Sequence, residues 1–103
     1  MNKQELKQKI SRAVQKNPFQ KEIQRVSLFG SYASGIPRPE SDVDMLIEFT
    51  TVNRVGIFAF LGIKRDLEER LHMKVDLVTP DALNKHIRED VLSKLEIVYD
   101  RKG

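Results

Sequence analysis

If Asp42 to Phe49 is an extended strand, its period sorts acids from apolar residues. In a strand successive side chains point to opposite faces, so Asp42 and Asp44 fall on one side and Val43, Met45, Ile47 and Phe49 on the other. One face must be a core and the other is free to be a site. Two further strands agree with that sheet. Arg25-Val26-Ser27-Leu28-Phe29 reads as a short buried strand that ends at Gly30, and Lys74-Val75-Asp76-Leu77-Val78 is a β-branched run in which Asp76 faces opposite to Val75 and Leu77.

Helical spacing fills the intervals. Leu6, Ile10, Ala13 and Val14 mark an opening amphipathic helix that should stop before Asn17-Pro18, because the residue before a proline disfavours the helical region. Thr50-Thr51-Val52-Asn53 offers N-cap chemistry for a second helix, whose core stripe is Ile57, Phe60, Leu61, Ile63, Leu67 and Leu71. Thr79-Pro80-Asp81 should begin a third helix reaching about Lys94, and Glu96 to Tyr99 reads as a last short strand. The fold class is α/β (α+β): a small mixed β-sheet covered by helices, with core positions Val26, Leu28, Val43, Met45, Ile47, Val75 and Leu77.

The polar face carries the chemistry. Neighbouring carboxylates raise one another's pKa, a cost that a bound divalent cation removes. Magnesium is the expected cation, since it takes hard oxygen ligands and is commonly shared between one or two carboxylates and substrate phosphates. Asp76 on its own could pair with a nearby Lys or cap a loop; beside Asp42 and Asp44 it makes a three-carboxylate cluster. Gly30, lacking Cβ, lets a backbone approach a ligand closely, and Ser31 offers a hydroxyl and an N–H to a phosphate oxygen. His72 and His86 have no second ligand at metal spacing and read as helix-end or surface groups, while Tyr32 suits packing around a nucleotide.

The strings Leu28-Phe29-Gly30-Ser31-Tyr32-Ala33-Ser34-Gly35, Ser41-Asp42-Val43-Asp44-Met45-Leu46-Ile47 and Lys74-Val75-Asp76-Leu77-Val78 closely resemble the minimal nucleotidyltransferase (MNT) domain of the polymerase-beta-like nucleotidyltransferase superfamily. Its signature is G-S, a spacer, D-x-D and a distant third acid, and the resemblance runs from the strand near Val26 to Asp100. One departure is Ser34, where many relatives have Arg; Arg38 is the candidate to contact the triphosphate in its place.

The resemblance implies transfer of a nucleoside monophosphate from a triphosphate to a hydroxyl, with Asp42, Asp44 and Asp76 catalytic and holding Mg2+, and Gly30, Ser31 and Arg38 binding ATP. It further implies an antitoxin that adenylylates a tyrosine of a HEPN-type ribonuclease toxin and forms a hetero-oligomer with it. Two alternatives stand beside this: a non-catalytic antitoxin that only binds the HEPN partner, and nucleotidyl transfer to a small molecule, as in larger relatives with an added helical domain.

Composition limits the remaining classes. With 103 residues the chain has room for one domain, residues 1–103, and the 40% apolar and 32% charged fractions suit a single core under a heavily solvated surface. The absence of cysteine excludes disulfides and thiolate metal sites and is compatible with a reducing cytoplasm. No apolar run approaches the roughly 20 residues of a membrane span, so a cytoplasmic protein is expected. The net charge of +3 is spread among mixed charges without an aromatic-interleaved basic patch, and direct nucleic-acid binding is not expected.

Overall fold

The computed structural model describes residues 2–30, 33, 42–50, 55–83 and 85–101, with 85–87 described by backbone alone. The elements run α1 (Lys3–Gln15), β1 (Ile23–Phe29), β2 (Val43–Phe49), α2 (Ile57–Leu71), β3 (Val75–Val78), α3 (Lys85–Ser93) and β4 (Glu96–Asp100), with 3-10 turns at Gln20–Glu22 and Pro80–Ala82. The strands form one mixed sheet in the order β3-β2-β1-β4. β1 is antiparallel to β2 and β4, while β2 and β3 are parallel and joined through α2.

The expected core face is realised, and Leu46, on the acid side of β2, is buried as well. Val26, Leu28, Val43, Met45, Ile47, Val75 and Leu77 are all buried, in one cluster with Leu6, Ile10, Ala13 and Val14 of α1 and Ile63, Leu67 and Leu71 of α2. Helix α1 begins where Asn2 caps it, its side chain accepting from the Glu5 N–H at 2.8 Å, and ends ahead of Asn17-Pro18 as expected. Asn17 is itself buried and fastens the helical layer: its Nδ2 donates to Asp66 Oδ2 at 3.1 Å and to the Ile63 carbonyl at 3.4 Å, and its Oδ1 accepts from the Phe19 N–H at 2.8 Å. On the central strand Arg25 reaches both neighbours, with ion pairs to Glu48 at 3.3 Å and Asp100 at 3.2 Å.

Four expectations need correction. The third helix does not begin at Thr79. Leu83 is buried, and the chain reaches it through an extended step (φ −77°, ψ 135°) between the 3-10 turn and α3. Thr50 does not cap α2. Its N–H donates to the Glu22 carbonyl at 2.9 Å at the end of the sheet, Gly56 precedes the helix without a side-chain cap, and Thr51, Val52 and Asn53 lie outside the described residues. Ile57 and Leu61 are not core: they are exposed, together with Phe58, and among the described residues nothing packs over the first turns of α2 on that side. Strand β1 starts at Ile23 rather than Arg25, since buried Ile23 pairs with Phe49. Among the described residues no helix is long and apolar enough to cross a membrane.

Candidate active site

Register and chain reversal assemble the site at one end of the sheet. In the parallel β2–β3 pair Asp44 stands opposite Asp76, and in the antiparallel β1–β2 pair Asp44 stands opposite Phe29, the last residue before Gly30. Three strands therefore deliver Gly30, Asp44 and Asp76 to adjoining positions. The burial of Val43, Met45, Val75 and Leu77 turns the acids to the other face; Asp44 is half-buried, Asp42 and Asp76 exposed.

Gly30 is required twice over. Its φ of +73° lies in the left-handed region, and a Cβ built on it would collide with Asp44 Oδ2. The Asp44 carboxylate thus occupies the space a side chain would fill. The Gly30 carbonyl accepts from the Ala33 N–H at 3.1 Å, and the Ala33 carbonyl accepts from Lys3 Nζ at 3.1 Å, which also pairs with Glu96 at 3.0 Å. Lys3 ties α1 and β4 to the turn after β1. Sequence reading missed this positioning role, because a lysine in a first helical turn carries no signal of a partner 30 residues away.

Electrostatics mark Asp44 as the centre. Burial, the charge of Asp76, a hydrogen bond with Asp76 and the charge of Asp42 push its pKa from 3.8 to about 6. Among the described residues no ion pair engages any of the three acids. The lysine partner that would have explained Asp76 on structural grounds is therefore absent there.

The donors do not close into a finished cage: among the described residues no three His, Cys, Asp or Glu side chains are grouped so as to hold one metal ion. Asp44 and Asp76 come together, and Asp42 stands at the rim where β2 begins. Two apposed carboxylates, of which Asp44 is held above its ordinary pKa, fit a hard divalent cation that fills its other positions with water and phosphate oxygens. Ser31, Tyr32, Ser34 and Arg38 lie outside the described residues.

Known proteins share both sequence and fold. The family model for polymerase beta nucleotidyltransferases matches residues 8–103. The protein adenylyltransferase MntA of Thermococcus cleftensis is 34% identical over 77 residues, which cover 75% of this chain and 74% of that protein. A solved structure of a minimal nucleotidyltransferase superposes with a TM-score of 0.75 at 30% identity, over 93% of this chain and 95% of the other. The fold also matches, with a TM-score of 0.66 at 21% identity over 97% of this chain and 74% of the other, a structure of a tri-AMPylated Shewanella oneidensis HEPN toxin in complex with MNT antitoxin. Sequence match, sheet order and the placement of Gly30 beside Asp44 and Asp76 agree, and the chain belongs to the polymerase beta nucleotidyltransferase family.

Proposed function

We propose that this chain is a protein adenylyltransferase that transfers AMP from ATP to a tyrosine hydroxyl of a HEPN-type ribonuclease toxin and so acts as its antitoxin. The observation that carries the reading is the juxtaposition of Asp44 and Asp76 across the β2–β3 ladder, against a Gly30 that leaves room for no side chain.

The acceptor oxygen attacks the α-phosphorus of ATP, the bond from that phosphorus to the bridging oxygen breaks, and pyrophosphate leaves. Asp76, exposed beside Asp44, takes the proton of the acceptor hydroxyl. Gly30 and Ser31 bring the β and γ phosphates against backbone, which lowers the barrier through orientation. Asp44 and Asp76, with Asp42 at the rim, would hold Mg2+ together with water and phosphate oxygens, and when bound it stabilises the charge that develops on the attacking and leaving oxygens. Arg38 is the cation in this sequence assigned to the triphosphate. An AMP group beside a nuclease site would repel RNA phosphates and block access to it.

The test is intact mass of the cognate HEPN protein after incubation with this protein, ATP and magnesium, beside an Asp42→Asn/Asp44→Asn control. A gain of whole AMP units absent in the control supports transfer. No gain, with the two proteins still co-purifying and the nuclease silent, establishes inhibition by binding instead.

A further inference from the structure

The sequence scatters its basic residues, but the fold gathers some of them. Lys9 and Arg12 of α1 and Lys16 just after its end line, with Arg70 and His72 at the C-terminal end of α2, a concavity of about 510 Å³ that contains no carboxylate in its lining. Counting Lys16, which caps α1 in helical conformation, the three recur at i, i+3 and i+7, a stripe within about 60° of arc and on the order of 10 Å long. The surrounding charge is uneven as well. The first 21 residues hold six Lys and Arg against one Glu, a net of +5, so the rest of a chain of net +3 carries −2. Lys9, Arg12 and Lys16 make no ion pair among the described residues, and Arg70 shares Asp66 at 2.9 Å.

We propose that this groove binds the phosphate backbone of a nucleic acid without regard to base sequence. The composition of the groove selects that occupant over an acidic protein surface. Protein interfaces are built on exposed apolar and aromatic anchors and are depleted in lysine. Here the two apolar lining residues, Ala13 and Leu71, are buried in the core, and the surface that remains is lysine, arginine and histidine. Phosphate contacts need no more than this, and no Phe, Tyr or Trp lines the groove to stack on a base and read it.

Three or four contacted phosphates give a modest, salt-sensitive affinity. For single strands the slope of log K against log salt is expected to be about −2 to −3, with dissociation constants between about 10⁻⁴ and 10⁻⁶ M near physiological salt. The groove shares no residue with the acid site, so this inference and the proposed adenylyl transfer stand or fall separately.

Fluorescence anisotropy of labelled 20-nucleotide RNA and DNA strands, titrated with the full chain across 25–200 mM KCl (about one decade of salt), tests it. Lys9→Glu/Lys16→Glu is expected to weaken binding at least tenfold at low salt and to flatten the slope by about one to two. Lys9→Gln/Lys16→Gln should show a smaller loss in the same direction. The control Lys7→Glu/Lys21→Glu changes net charge equally outside the groove and should stay within about twofold. Equal losses in the two Glu pairs, absence of binding at the lowest salt, or displacement of RNA by polyglutamate at equal charge concentration each overturn the proposal.

Discussion

Asp44 carries the largest electrostatic tension in the site, and its consequences have a definite sign. Its carboxyl titrates near 3.8 when free of the fold and at about 6 within it, so between those values the folded chain binds more protons. Raising pH through that window removes stability, and the penalty is complete above about 6. Asp44→Asn should therefore raise stability at pH 8 by on the order of 1 kcal/mol, after allowance for solvent screening of a half-exposed group, and the gain should vanish below about pH 4. Thermal melts of both chains at pH 4, 6 and 8 measure this; a variant less stable at pH 8 would contradict it. The same substitution should abolish AMP transfer. Gly30→Ala combines a left-handed backbone with displacement of the Asp44 carboxylate, and should lose about 2 kcal/mol of stability and nearly all transfer activity. Retained activity in that variant would show that the carboxylate need not sit against the turn.

At the scale of elements, the joints between layers matter more than the layers. Asn17→Ala would leave the Phe19 N–H and the Ile63 carbonyl without the partner they share, at the junction where α1 hands over to the sheet, and should cost about 1–3 kcal/mol in urea unfolding. Removing surface Gln4 instead should change little, and equal effects would refute the joint. This is also where legibility in the sequence ended. The alternation Val43, Met45, Ile47 and the isolated Asp76 announced which face was core and which was site, since strand period leaves no third choice. Helix periodicity is weaker evidence. It marks a stripe but not whether a neighbour covers it, so Ile57 and Leu61 matched the pattern and lie exposed. The break before α3 was hidden because a buried Leu83 in an extended step has no local signature. Nor could spacing show that Lys9 and Arg70 line one concavity, because that depends on how α1 crosses α2.

For the whole molecule, the relevant balance lies between a stable apolar core and a site built of mutually repelling acids. A cation that binds the folded chain alone should stabilise it by mass action, about 1.4 kcal/mol at tenfold its dissociation constant, or several degrees in melting temperature. Magnesium should raise the melting point at pH 8, EDTA should reverse the shift, and Asp44→Asn should not respond. A shift of the same size in the variant would place the cation elsewhere. Strand β3 gives this balance a location. It is four residues long and, among the described residues, lies at the edge of the sheet with a single neighbouring strand, yet it bears one of the two apposed carboxylates. Opening of such an edge need not wait for global unfolding. Above pH 6 without a cation, repulsion between Asp44 and Asp76 acts directly on that edge, so the amides of 75–78 should exchange with deuterium faster than those of β1. Assembly of the site is then expected to be a local equilibrium of one short strand, and a cation that bridges the two carboxylates should slow that exchange.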